Sequence, residues 1–283
     1  MATHGKEVME AAEAAGKELA FEASVGGGIP IIDPLKHSLI ANEITSVMGI
    51  VNGTTNYMLT RMADNGLSYE DALHEAQQKG FAEGDPTADV GGFDAAAKIA
   101  ILASIAFNSR VTLDDVFTDG ITNISPVDIE AARDMGYVIK LLAIAHRRED
   151  GVDVRVHPTM IPTNHQLATV NGVFNAIYVV GDFVGETMFF GEGAGAGAAA
   201  SAVMGDVLEV ARHIQQGVAY VCGDLNGVSL LAHTAVREAE VAVHHITGKE
   251  DAMSYRAIPG VVYTNPEIAG VGMSCLLYTS RCV

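Results

Sequence analysis

Residues 44–59 read ITSVMGIVNGTTNYML, and this stretch decides the fold class. Its first half, residues 44–51, is rich in β-branched side chains, which favour a strand, and Asn52-Gly53 is a typical turn pair that would end it. Helical periodicity follows at residues 57–63 and 68–79. A strand that is followed by a run of helices is typical of an α+β fold.

Three later segments have the composition of strands in an open sheet that is covered on one side, namely residues 138–145, 152–160 and 176–180. A long apolar helix is expected to begin at Asp94 and to end near Phe107. These elements predict a mixed open sheet covered by helices.

Composition excludes several classes of partner. The chain has 283 residues, enough for about two domains at most. Its 17 Lys and Arg residues against 35 Asp and Glu residues give a net charge of −18, which repels nucleic-acid phosphates and anionic lipids. The most apolar segment, residues 95–107, is shorter than the roughly 18 to 20 residues that span a bilayer. We therefore expect neither nucleic acid nor a membrane as a partner.

The three cysteines, Cys222, Cys275 and Cys282, form no CxxC pair and no zinc-ligand spacing. An odd number of cysteines also gives no disulfide framework. This usage predicts a reducing, cytoplasmic compartment.

Residues 81–98, FAEGDPTADVGGFDAAAK, place four carboxylates and one lysine in a short segment. Asp94 and Lys98 stand at i and i+4, so they share one helix face in the favourable order. Such pairs are commonly solvated salt bridges of little energetic weight. The apolar neighbours of Lys98 instead suggest a partly desolvated ammonium that could transfer a proton. Spacing alone leaves both interpretations open.

Two glycine-rich segments are further candidates. Glu22 precedes a turn at residues 25–29 whose carbonyl oxygens would suit a hard cation, although most such turns bind nothing. Residues 193–198, GAGAGA, match GxGxxA, and Asp224 follows about thirty residues later, as in a dinucleotide fingerprint. Alanine-glycine tracts match this loose pattern easily.

Four ordered blocks carry a family resemblance: residues 21–32 (FEASVGGGIPII), 49–59 (GIVNGTTNYML), 83–98 and 172–176 (GVFNA). Through them the chain resembles homoserine dehydrogenase over residues 2–217. The resemblance implies an α+β catalytic and dimerisation domain that forms a homodimer. It also implies an oxidoreductase that interconverts L-homoserine and L-aspartate 4-semialdehyde with NAD or NADP, in threonine, methionine and isoleucine biosynthesis.

The resemblance also implies roles for individual residues. Glu83 would hold the substrate amino group, Asp94 would support both the substrate and the lysine, and Lys98 would be the proton donor. The family's sodium site would consist of Glu22 and the main-chain oxygens of Val25, Gly27 and Ile29. The cofactor would be approached by the turn that contains Gly191, Gly193 and Gly195.

The sequence departs from the family at both ends. The family's nucleotide-binding half precedes the segment that matches residues 2–5, so we expect impaired activity in this chain. Residues 218–272 instead resemble dihydrolipoamide dehydrogenase, through YVCGD (220–224), LAHTA (231–235) and IPGVVYTNPEIAGVG (258–272).

The expected organisation is a catalytic domain at residues 1–217, a small C-terminal α/β fragment at 218–272 and a disordered or non-native tail at 273–283. Two alternative functions follow from these departures. One is a fragment of a flavin-dependent disulfide oxidoreductase, and the other is a non-catalytic dimerisation domain.

Overall fold

The computed structural model describes residues 1–216, 241, 244, 248–249, 251–252, 259–262 and 268–271. The chain divides into two compact units, Met1–Ala211 and Arg212–Val283. In the second unit, β7 (Pro259–Val262) and β8 (Ile268–Val271) form an antiparallel pair. The other features expected in residues 218–272 and the tail at 273–283 lie outside the described residues.

The first unit is a six-stranded sheet with helices. The strands are β1 (Ile44–Ile50), β2 (Phe117–Thr118), β3 (Tyr137–Arg148), β4 (Gly151–Pro162), β5 (Phe174–Gly181) and β6 (Gly185–Glu192). Their order across the sheet is β2-β4-β3-β1-β5-β6. All neighbours are antiparallel except β2 and β4, which are parallel. The expected α+β class with a mixed open sheet is confirmed.

The helices are α1 (Gly5–Ala14), α2 (Ile32–Lys36), α3 (Gly53–Asn65), α4 (Tyr69–Gln78), α5 (Thr87–Val90), α6 (Phe93–Ala106), α7 (Pro126–Asp134) and α8 (Ala196–Gln216). Several begin with side-chain caps that the sequence encodes. Ser68 accepts a hydrogen bond from the Asp71 N–H at the start of α4, and Ser125 with Asp128 forms a capping box at α7. Among the helices of the described residues, none is long and apolar enough to span a membrane.

Alternation along the strands builds two apolar layers. Val47, Ile177 and Val179 point to the face covered by α6, where Ile99 and Leu102 are fully buried. The opposite face carries a second cluster in which Ile50, Leu142, Ile144 and Tyr178 pack with a 3₁₀ turn at Gln166–Thr169. α6, which carries the predicted acid–lysine pair, is therefore held firmly against the centre of the sheet.

The glycine tract after β6 is not a dinucleotide fingerprint. Such a fingerprint joins a parallel strand to a helix, whereas β6 pairs antiparallel with β5. Asp224, the expected acidic partner, lies outside the described residues.

Candidate functional site

The candidate site forms where β1 ends and α3 begins. Asn52 is the N-cap of α3, and its side-chain oxygen accepts a hydrogen bond from the backbone N–H of Thr55 at 2.9 Å. The residue before it, Val51, presents its carbonyl oxygen to a lysine of α6. The end of a central strand and the start of a helix thus place polar groups next to α6.

Lys98 lies one turn after Asp94 on α6, as the i, i+4 spacing predicted. Its Nζ donates hydrogen bonds to Asp94 Oδ2 at 2.7 Å and to the Val51 carbonyl at 2.9 Å. The Lys98 side chain is 20% exposed, so the pair is neither sealed nor freely solvated. An ammonium group has three N–H donors, and the described residues accept from two of them.

The structure adds two residues that sequence reasoning did not select, Asn52 and Asp89. Asn52 Nδ2 donates to Asp89 Oδ1 at 2.7 Å and to Asp94 Oδ2 at 2.9 Å. Asp89 was counted among the carboxylates of residues 81–98, but its spacing from Lys98 gave no sign of a shared site. Asn52 was interpreted only as part of a turn.

These polar groups face a cavity of about 530 Å³. Its lining comprises Asn52, Gly53 and Thr54 at the start of α3, Asp89 and Asp94 with Lys98, and residues 192–195 after β6. Val173, Gly80 and Phe81 complete the wall. The cavity therefore brings Asp89, Asp94 and the Lys98 ammonium together with the glycine turn that Glu192 opens, within the first unit alone.

Glu83 does not line this cavity. It is exposed on the loop after α4, and its carbonyl accepts a hydrogen bond from Gln77 Nε2 at 3.0 Å. Thr54 Oγ1 fixes the start of the loop by donating to the Phe81 carbonyl at 2.6 Å. The predicted substrate-binding role of Glu83 thus stays a prediction.

Of the three glycines expected near a cofactor, Gly193 and Gly195 line the cavity and Gly191 does not. Gly191 is a β6 residue paired with Asn175 of β5. A Cβ at Gly193 would overlap the Asn175 carboxamide, and Gly195 has a φ of 118°, which favours glycine. Gly193 is therefore favoured by side-chain packing and Gly195 by its backbone conformation, and neither reason depends on a cofactor.

The Glu22 carboxylate is engaged in a way the sequence did not indicate. It accepts hydrogen bonds from the backbone N–H groups of Ile31 at 2.6 Å, Ile32 at 2.8 Å and Asp33 at 2.7 Å, at the start of α2. Three amide donors leave this carboxylate little capacity for a cation.

The carbonyl oxygens of Val25, Gly27 and Ile29, in contrast, accept no hydrogen bond from the described residues. Oxygen ligands of this kind fit a hard cation. The three carbonyls of the predicted sodium set are thus chemically suitable, and the part of the set assigned to Glu22 stays a prediction.

A second lysine, Lys140 on β3, is buried away from this cavity, with 3% exposure. Its Nζ donates to the Val170 carbonyl at 2.6 Å, to Asn171 Oδ1 at 2.9 Å and to Asn56 Oδ1 at 3.0 Å. We call these four residues the Lys140 cluster. Burial lowers the pKa of Lys140 to about 8, and the negative charge of Asp64 opposes that shift.

Comparison with known proteins supports the resemblance. The family model described as homoserine dehydrogenase matches residues 30–208. Homoserine dehydrogenase of Corynebacterium glutamicum is 53% identical over 222 residues, and that of Bacillus subtilis is 47% identical over 218. Each alignment covers 77% of this chain and 50% of the relative. The chain spans about half the length of the curated relatives it matches.

Solved structures give the same result. A homoserine dehydrogenase from Thiobacillus denitrificans superposes with a TM-score of 0.74 at 39% identity, covering 91% of this chain and 56% of that one. The Staphylococcus aureus enzyme at pH 6.5 gives a TM-score of 0.65 at 33% identity, covering 99% and 68%. The expected likeness of residues 218–272 to dihydrolipoamide dehydrogenase finds no support in these comparisons.

Proposed function

The chain belongs to the homoserine dehydrogenase family, and on that premise we propose that its cavity binds L-homoserine or L-aspartate 4-semialdehyde and transfers the proton of their interconversion. The observation that carries the proposal is the position of Lys98. Its ammonium faces the cavity, is paired with Asp94 and keeps one N–H that no described residue accepts.

The residues of the cavity suit this chemistry. A nicotinamide cofactor, when bound, supplies or takes up the hydride at the carbonyl carbon. Lys98 Nζ would give a proton to the aldehyde oxygen as it becomes the hydroxyl of homoserine, and would take it back in the reverse direction. The Val51 carbonyl and Asp94 orient the ammonium for that transfer.

Carboxylates of the site are suited to the substrate's amino group. Asp94 Oδ1 and Asp89 Oδ2 accept no hydrogen bond from the described residues, and both side chains line the cavity. Glu83 would join them if its side chain turned inward from the loop after α4. The backbone of Gly193 and Gly195 offers a surface without side chains on which the cofactor, NAD or NADP, could lie.

A sodium ion is proposed at the carbonyls of Val25, Gly27 and Ile29. The glycine turn that carries them touches the candidate cofactor turn, because the Gly28 N–H donates to the Glu192 carbonyl at 3.2 Å. An ion there would fix the wall of the cavity rather than take part in proton transfer.

A homodimer is proposed through the sheet face that α6 does not cover. At the β6 edge this face exposes Met188 by 39% and Phe190 by 54%, and the Phe190 ring packs 5.2 Å from that of Phe174. Exposed apolar surface of this kind is typical of subunit contacts. We also propose that residues 1–217 form the catalytic and dimerisation domain and that the compartment is the cytoplasm.

Titration of the purified chain with L-homoserine, followed by calorimetry, tests the proposed function. We expect saturable binding that Asp94→Ala weakens at least tenfold. Lys6→Met is the matched control, because Lys6 forms an exposed i, i+4 pair with Glu10 at 3.6 Å on α1, outside the cavity. A chain that dimerises without binding homoserine would instead be the non-catalytic dimerisation domain.

A further inference from the structure

Asn52 uses both ends of its side-chain amide at the corner between β1 and α3. Its Oδ1 accepts from the Thr55 N–H and from Thr55 Oγ1, both at 2.9 Å. Its Nδ2 donates one hydrogen bond to Asp89 and one to Asp94. The residue is 6% exposed, and the contacts at Oδ1 fix which end of the amide faces the carboxylates.

The two carboxylates that it joins come from different elements. Asp89 belongs to α5 and Asp94 to α6, and a positive-φ glycine, Gly92, separates the two helices. Like charges at one site repel each other, and of these two carboxylates only that of Asp94 accepts a hydrogen bond from Lys98. Among the described residues, only Asn52 donates a hydrogen bond to the Asp89 carboxylate.

We propose that Asn52 is a positioning residue of the site, a neutral double donor that holds Asp89 and Asp94 at a fixed separation beside Lys98. The inference rests on the proposed function for its effect on substrate, but the geometry stands without it. The bonded oxygen of each carboxylate is turned to Asn52, so the other oxygen of each is left for a ligand.

Other residue types could not combine these two tasks. Aspartate and serine both cap helices well, so either could replace the acceptor that Thr55 needs. Aspartate would add a third negative charge in place of the donor. Serine has one hydroxyl hydrogen and cannot donate to two carboxylates at once.

The test separates capping from positioning with Asn52→Ser and Asn52→Asp. Both keep the cap of α3, and both lose the double donor. We expect unchanged helix content by circular dichroism, with homoserine affinity at least tenfold weaker in Asn52→Ser and weaker still in Asn52→Asp. Ser68→Ala is the control, because it removes the cap of α4 away from the cavity.

A pH profile adds a readout that a structural role would not change. Relative to the unmodified chain at each pH, Asn52→Asp should regain homoserine affinity toward the level of Asn52→Ser as the pH falls, because protonation removes the third charge and gives the introduced carboxyl one donor. Asn52→Ser should show no such recovery. Affinity equal to that of the unmodified chain in both folded variants would overturn the proposal and leave Asn52 as a helix cap.

Carbon-13 spectra of the aspartate carboxyl groups distinguish this failure from that of the proposed function. In Asn52→Ser the Asp89 and Asp94 signals should both move, with or without homoserine. If the unmodified chain does not bind homoserine but these signals move, the substrate is wrong and the positioning stands. Unmoved signals in a folded variant would refute the positioning itself.

Discussion

Lys98 and Lys140 are two lysines in contrasting regions of the same unit. Lys98 faces the cavity, bonds to a carboxylate and a carbonyl, and retains a third N–H that no described residue accepts. Lys140 is sealed in its cluster, where three neutral oxygens accept from all three of its donors. Lys140 is the more deeply buried of the two lysines, and none of its N–H groups is left to donate to a ligand.

Under the proposed function, the contrast indicates that burial alone does not identify a proton-transferring lysine. Reaction requires an accessible donor and a partner that orients it, which Lys98 has. Lys140 instead ties β3 to α3, since Asn56 accepts its bond and donates in turn to the Val170 and Phe174 carbonyls at 3.2 and 3.1 Å. We therefore expect substitutions of the two lysines to affect different properties.

The largest effect is expected for Lys98→Met on turnover. Loss of a positioned general acid should lower the rate of NADPH-dependent aspartate 4-semialdehyde reduction by about 10²- to 10⁴-fold. The melting temperature should change little, because a partly exposed ion pair contributes little to stability. The turnover rate and the melting temperature are measured on the same preparation of a protein that shows turnover before the substitution.

Lys6→Met provides the control for removal of a charged i, i+4 partner outside the cavity. Unchanged turnover in Lys98→Met would contradict the proposed role in proton transfer, because Lys98 would then only form a salt bridge within α6.

Lys140→Met should show the opposite pattern. The substitution leaves the buried Asn56 Oδ1 without a donor, while the Val170 carbonyl keeps its hydrogen bond from Asn56 and the exposed Asn171 can turn to water. We expect the free energy of unfolding to fall by about 1 to 3 kcal/mol. Urea denaturation measures this change. A variant as stable as the unmodified chain would show that burial of the charge costs as much as its hydrogen bonds contribute.

The pH dependence of stability sharpens the comparison. The pKa of Lys140 is about 8 in the folded chain, whereas that of an unperturbed lysine side chain is 10.5, so between these values the unfolded chain holds more protons. Stability should therefore rise with pH in this window, by about 2 kcal/mol between pH 8 and 10. Urea denaturation of the unmodified chain and of Lys140→Met at each pH gives the two free energies of unfolding, and their difference should increase by this amount. If the free energies of unfolding of the two proteins changed equally with pH, this prediction would be wrong.

Gly193→Ala tests the glycine turn that lines the cavity, and we expect it to have the smallest effect on stability of these substitutions. The added Cβ would overlap the Asn175 carboxamide, and displacement of the turn should cost about 1 kcal/mol or more. Gly197→Ala is the control, because nothing lies within 4 Å of its Cβ position. Equal melting temperatures for the two variants would show that the turn adapts freely.

Local patterns predicted the sheet and part of the site. The β-branched run at residues 44–51 became β1, and the i, i+4 spacing placed Asp94 against Lys98. Both signals lie within one element, where period and spacing determine which side chains share a face.

The remainder depends on contacts between distant parts of the chain. Asn52 reaches carboxylates 37 and 42 residues away, and Lys140 reaches Asn56 across 84 residues. The family resemblance placed Glu22 at a sodium site, and the sequence itself showed only the glycine turn that follows it. The partners of the Glu22 carboxylate, the amides at the start of α2, depend on how the chain folds back.

The contact between the two glycine turns restricts how this gene can change. A Cβ at Gly27 would overlap the Gly193 carbonyl, while a Cβ at Gly193 would meet Asn175. A single codon change that adds a side chain at Gly27 therefore forces the Gly193 turn to move, whereas one at Gly193 acts on the Asn175 carboxamide of β5. In a library of random variants, replacements should be rare at both positions, at Gly27 because of the facing turn and its φ of 58° and at Gly193 because of Asn175.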